Sequence, residues 1–131
     1  MGAHFPASAS GGIHPTAIVH ESAEIGDGVS VGPYSIIGPG VVIGPGTHMG
    51  PHVLVERAVT IGADCVFHKG AVLGTDPQDL KYDGEPTRLI IGDRTVIREY
   101  ATLNRGTTAL GHTTIGSDCL LMAYTHVAHD C

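Results

Sequence analysis

Residues 13–73, IHPTAIVHESAEIGDGVSVGPYSIIGPGVVIGPGTHMGPHVLVERAVTIGADCVFHKGAVL, carry a large apolar residue at every sixth position: Ile13, Val19, Ile25, Val31, Ile37, Ile43, Met49, Val55, Ile61, Phe67 and Leu73. The period returns at Ile91, Ile97, Leu103, Ile115, Leu121 and Val127, so seventeen of the twenty positions in this phase are large and apolar. Helices repeat near 3.6 residues and strands at 2, so a period of six belongs to neither alone. A second restricted position falls four residues after each aliphatic, as in Ala17, Val29, Ser35, Val41, Thr47, Cys65, Ala71, Thr95 and Cys119. It lies two residues before the next aliphatic, and on a strand that spacing selects the same, inward face. The slot directly after the aliphatic is often glycine (Gly26, Gly32, Gly38, Gly44, Gly62, Gly92), with Pro, Asp or Gly beyond it. That turn vocabulary predicts corners, with these glycines relieving the φ restriction there. Short strand, corner, short strand describes a coil, and three such sides close one turn of a parallel β-helix whose coils stack about 4.8 Å apart. The span from Ile13 to Cys131 holds roughly six turns.

Composition fits this all-β solenoid. The chain has 131 residues, 42% of them hydrophobic but only 5% aromatic, and it lacks Trp, so the core is an aliphatic column. The expected organisation is a single repeat domain over 13–131, preceded by a flexible arm, MGAHFPASASGG, at 1–12. The arm has no apolar stretch and does not read as a signal peptide. With no segment of transmembrane length, a soluble, cytoplasmic protein is expected. Cys65, Cys119 and Cys131 all fall in the small inward slot, which makes them packing residues and inert thiols. A formal charge of −6 disfavours nucleic acid as a partner. All seven basic residues nevertheless lie between Arg57 and Arg105. They form either a solvated face with hydrogen-bonded loop arginines or a local basic surface for a phosphate-bearing or acidic partner.

The repeat breaks twice. Between Leu73 and Ile91 the sequence LGTDPQDLKYDGEPTRLII puts Asp79 and Glu85 at the aliphatic positions. Its length keeps the six-residue register while its composition cannot fill the column, so a loop over about residues 75–90 must leave the helix. A shorter break, RGTTALGHT, covers residues 105–113. Excursions from a regular solenoid are where binding and oligomer contacts tend to be placed.

Two stretches narrow the reading further: QDLKYDGEPTRLIIGDRTVIREYATLNRGT at 78–107 and GSDCLLMAYTHVAHDC at 116–131. They resemble the UDP-N-acetylglucosamine O-acyltransferase family of lipid A biosynthesis, a branch of the hexapeptide-repeat acyltransferases. The resemblance implies a left-handed helix, a homotrimer with active sites between subunits, and no cofactor or bound metal. It also implies transfer of a 3-hydroxyacyl chain from acyl carrier protein to the 3-hydroxyl of UDP-N-acetylglucosamine. A sugar alcohol is a poor nucleophile until its proton is removed, so the reaction needs a base, for which histidine is suited. By the resemblance that base is His129, with Asp130 orienting it. Gln78, Asp79, Lys81 and His126 correspond to residues that meet the sugar nucleotide; a carboxylate there can hold sugar hydroxyls and an ammonium can meet phosphate.

The family's helix runs on for several coils past its catalytic histidine and ends in a helical domain, whereas this sequence ends two residues after His129. Weak or absent activity, and trimers associating through an uncovered last coil, are the expectations this raises. Two other functions remain open on the sequence. One is a non-catalytic trimeric scaffold or sugar-nucleotide binding module. The other is a zinc enzyme like the γ-class carbonic anhydrases, for which His112, His126 and His129 are the available ligands.

Overall fold

A computed structural model describes residues 12–76, 84, 86–107 and 110–128. Sixteen short strands are present among them, and every pairing is parallel. The first sheet contains β1 (Ile18–Val19), β4 (Ile36–Ile37), β7 (Leu54–Val55), β10 (Val72–Thr75), β13 (Thr102–Asn104) and β16 (His126–Val127). The second contains β2 (Glu24–Ile25), β5 (Val42–Ile43), β8 (Val59–Ile61), β11 (Arg88–Ile91) and β14 (His112–Ile115). The third contains β3 (Ser30–Val31), β6 (His48–Met49), β9 (Val66–Phe67), β12 (Val96–Ile97) and β15 (Leu120–Leu121). Each successive strand moves to the next sheet and every third returns, which is the winding of a three-sided parallel β-helix, here left-handed.

Register measures the two excursions. Ile18 pairs with Ile36 and Ile36 with Leu54, a rise of 18 residues per coil. Val72 pairs with Thr102, a rise of 30, and Thr102 with His126, a rise of 24. The first excursion therefore adds 30 − 18 = 12 residues and the second 24 − 18 = 6. Both are multiples of six, so the apolar column continues on the far side of each loop without a change of face.

The column is the core. Val31, Ile37, Ile43, Met49, Val55, Ile61, Phe67, Leu73, Ile91, Ile97 and Leu103 are buried, as are Val29, Ser35, Val41, Thr47, Cys65, Ala71, Thr95 and Ala101 from the small slot. The two inward positions foreseen from the repeat are the two that are filled. Polar members of the small slot face their own corner: the Ser35 hydroxyl donates to Gly50 O at 2.9 Å and accepts from Val53 N at 3.1 Å. Thr47 does the same with Gly62 O and Cys65 N. Burial pushes the Cys65 thiol pKa up and its Sγ meets Gly92 O, consistent with a packing residue. Cys131 lies outside the described residues.

The corners correct one expectation. The glycines that follow each aliphatic do not take up positive φ, except Gly74; the left-handed residue comes two positions later. There Gly28, Gly40, Gly46 and Gly70 alternate with Tyr34, His52, Ala58, Asp64, Arg94, Tyr100, Asp118 and Tyr124, all with φ between 54° and 75°. The non-glycine cases are held by the coil beneath. His52 N donates to Pro33 O at 3.0 Å, Arg94 N to Ala63 O at 2.8 Å, and Tyr124 N to Glu99 O at 2.9 Å. One such corner also stacks its rings, with Tyr34 on His52 at 5.3 Å and Tyr100 on Tyr124 at 5.5 Å between centroids. His14 and His20 close turns by accepting from Thr16 N and Ser22 N. Gly12, at the edge of the expected arm, accepts from Val31 N at 3.2 Å.

Candidate functional site

Of the residues that the resemblance singles out, His126 is described; Gln78, Asp79, Lys81, His129 and Asp130 lie outside the described residues. His126 opens β16 on the outer face of the first sheet, while Val127 beside it turns to the core. The parallel register sets His126 directly against Thr102 of the coil below, and their side chains join through Nδ1 and Oγ1 at 2.8 Å. Among the described residues the Thr102 hydroxyl has no other partner, and the second ring nitrogen of His126 has none. With the hydroxyl donating to Nδ1, Nε2–H is left to donate outward. Beneath this pair the outer face of the sheet is aliphatic: Val72, Leu54, Ile36 and Ile18.

The first excursion leaves after β10 and returns at β11, so both of its roots are described. A bulge at Gly74, φ 80°, begins the departure. A Cβ there would meet Val59 Cγ2 at 2.4 Å and Arg57 O at 2.8 Å, so the bulge needs glycine. The root is fastened by Arg105, only 2% exposed, which donates to the carbonyl of Gly74 and to Asp76. Arg57 donates to the same Asp76 oxygen from the other side at 3.0 Å. Asn104 adds a bond from Nδ2 to Thr75 Oγ1 at 2.8 Å. The chain segment carrying Asp79 and Lys81 thus departs from a charged, hydrogen-bonded knot, not from a free hinge. Sequence reading missed this knot. Arg105 counted only as one of seven basic residues, and nothing in its local pattern distinguishes a buried guanidinium from an exposed one.

The knot has an electrostatic consequence. The Arg105 hydrogen bond holds the Asp76 carboxyl below the usual carboxylate range, partial desolvation opposes this, and Arg57 adds to the lowering. A carboxyl with a depressed folded-state pKa contributes stability above its unfolded value, and the contribution is lost as pH falls through the folded value. Asp76 is half exposed, so solvent screening limits the effect to about 1 kcal/mol or less. Asp76→Asn is expected to lower urea-melt stability by about that amount at neutral pH, and the difference from wild type is expected to vanish well below pH ~4. A difference that persists in acid would place the effect in shape and not in charge.

The basic cluster is largely neutralised within the fold. Arg57 and Arg105 pair with Asp76, Arg94 with Asp118 at 2.7 Å, and Arg98 with Glu99 at 3.0 Å. Among the described residues no three His, Cys, Asp or Glu side chains converge to hold a metal ion. His112 stands on the second sheet and His126 on the first. No helix among the described residues is long and apolar enough to cross a membrane.

Comparison with known proteins bears on these features. Residues 22–57 match the bacterial transferase hexapeptide family (six repeats). The chain is 63% identical over 119 residues to the acyl-[acyl-carrier-protein]–UDP-N-acetylglucosamine O-acyltransferase of Chlorobaculum parvum, covering 91% of this chain and 45% of that protein. The enzyme of the same name from Brucella ovis is 46% identical over 120 residues, covering 91% and 43%. Among solved structures, LpxA from Acinetobacter baumannii superposes with a TM-score of 0.90 at 49% identity, over 91% of this chain and 46% of that one. The UDP-N-acetylglucosamine acyltransferase of Francisella novicida gives 0.89 at 40% identity, over 91% and 44%. The chain spans just under half the length of these relatives, and within that span it is a hexapeptide-repeat homologue of the UDP-N-acetylglucosamine O-acyltransferases.

Proposed function

We propose that this chain serves acyl transfer from 3-hydroxyacyl-acyl carrier protein to the 3-hydroxyl of UDP-N-acetylglucosamine, the opening step of lipid A biosynthesis, in the cytoplasm. The observation that carries the reading is the 63% identity over 119 residues to an enzyme named for that reaction. His129 is the proposed general base, oriented by Asp130, and Gln78, Asp79 and Lys81 hold the sugar nucleotide. His126 suits a supporting role. Its ring is fixed by Thr102 and presents one nitrogen outward, where a sugar oxygen or a developing oxyanion can be met without reorganisation. Arg105 and Asp76 fasten the root from which the first excursion departs. A homotrimer is part of the proposal. Ile18 and Ile36 are 63% and 43% exposed on the outer face of the first sheet, and side-by-side association would cover them.

The test is a transfer assay with UDP-N-acetylglucosamine and a panel of 3-hydroxyacyl carrier proteins, read by mass spectrometry of the sugar nucleotide. Formation of a 3-O-acylated product supports the reading. Saturable UDP-N-acetylglucosamine binding with no product across the panel would replace it with a sugar-nucleotide binding module.

A further inference from the structure

The lower end of the helix is closed along one sheet and open along two. Ile13 pairs beneath β3 at Val31, where Val31 N donates to Gly12 O at 3.2 Å and the Val31 carbonyl accepts from His14 N at 2.9 Å. Val29 and Val31, above that contact, are fully buried. β1 and β2 are edge strands of the other two sheets, with no described strand beneath them. Their inward residues Ala17, Val19, Ala23 and Ile25 are only partly buried, whereas Ser35, Ile37, Val41 and Ile43, one coil above, are at most 1% exposed. An apolar column that ends in water forgoes burial, and an unpaired strand edge invites another chain. The Ile13–Val31 pairing fixes the register below β3 at 31 − 13 = 18 residues, the rise that also separates the coils above. Counted back along the sequence, that register assigns Phe5 to the position below Ala23, Ala7 to that below Ile25, and Gly11 to that below Val29.

We propose that the open lower edge is the docking site of this chain's own residues 1–11, which lie outside the described residues, with Phe5 and Ala7 turned into the column as its closing layer. The occupant follows from phase and length. The segment is joined directly to Gly12, already seated on the same edge, and it is long enough to run back beneath β2 and reach β1. In this register the corner positions fall on His4, Ala9 and Ser10, small or polar residues suited to solvent. A bulky Phe5 fits a slot that is small elsewhere, because the last layer of a column has nothing below to limit its size. Pro6 supplies its carbonyl to Ile25 N and Ser8 its N–H to the Ile25 carbonyl, the counterparts of Gly12 and His14 beneath Val31. Pro6 has no N–H to offer Ala23, so the closing coil lacks one ladder bond. Terminal repeats of a solenoid need such a cap, since each repeat buries its apolar face only against its neighbours. The inference is independent of the acyl-transfer reading: β1 and the β16 strand that carries His126 stand at opposite ends of the first sheet.

Backbone amide hydrogen exchange on the full chain, read residue by residue by NMR, tests the docking. The Ile25 amide is expected to exchange about tenfold or more slowly than an unprotected amide, with Val31, bonded to Gly12, as the internal reference. Phe5→Asp and Ala7→Asp each put a carboxylate into the column and are expected to abolish the protection at Ile25 while sparing Val31. Ala9→Asp makes the same chemical change at a corner position and is expected to leave both amides as they were. All three substitutions lie outside the sixteen strands, so the helix should fold in each variant, and circular dichroism checks that it does. Free exchange at Ile25 in the full chain, or equal effects of Ala7→Asp and Ala9→Asp, would overturn the proposal. Protection that rises with protein concentration would overturn it as well, by assigning the open edge to a second copy of the chain.

Discussion

Gly38→Ala is expected to cost at least about 3 kcal/mol and to leave much of the chain unfolded at room temperature. The cause is the tight stacking of coils at that corner. A Cβ on Gly38 would fall 1.6 Å from the carbonyl oxygen of Glu56, in the coil above, and 2.7 Å from its carbonyl carbon. Both are backbone atoms, and that backbone is committed: Gly38 N donates to Val55 O at 2.8 Å, and Glu56 N donates in turn to Leu73 O at 2.8 Å. Relief requires lifting one coil off the next, which stretches the ladder on either side. Gly40, two residues on, provides the contrast. Its φ is 69°, but a Cβ there would come no closer than 3.7 Å to Ala58, so Gly40→Ala should cost only the left-handed strain, about 1 kcal/mol. Urea denaturation of both variants separates the two roles of corner glycine. Equal costs would show that the corner at Gly38 yields easily and that conformational freedom is the shared requirement.

That contrast also explains what could be read from the sequence. Every coil meets the same interior, so the inward slots are constrained in every repeat, and Val31, Ile37 and Ile43 declare themselves by position alone. The glycines after them are equally legible as a pattern, but the pattern does not state its cause. Proximity of the next backbone, as at Gly38 and Gly32, keeps most of them, not positive φ. The left-handed residues were hidden for the opposite reason. Their side chains point to solvent, so Asp64, Arg94 and Tyr124 share no residue type, and their strain is offset by an N–H bond to the coil beneath that no composition reveals. Arg105 is the harder case. Its burial depends on Gly74 and Asp76, some thirty residues earlier and brought beside it by the extra twelve residues of the excursion. A one-dimensional pattern carries no trace of such a contact. His126 was legible as a motif member, while its fixation by Thr102 needed the 24-residue register between their coils.

His129→Ala is expected to lower acyl transfer by about 10²–10⁴-fold while leaving UDP-N-acetylglucosamine affinity within a few-fold of wild type. The asymmetry follows from the proposed role. A base that removes the hydroxyl proton during attack contributes to the transition state and little to the ground state, so its loss appears in kcat and not in KM. Thr102→Val provides a second, smaller effect through a different residue. Without the Thr102 hydroxyl the His126 ring loses the bond that fixes its plane, and about a tenfold loss is expected if that ring supports developing charge. The hydroxyl–imidazole pair lies on the outer face, so melting temperature should hardly move in this variant. Comparing kcat, KM and melting temperature across the two variants distinguishes chemistry from scaffolding. A fall in kcat alone for His129→Ala assigns the base. A parallel fall in sugar-nucleotide affinity would move His129 into the binding set and leave the deprotonation to another group.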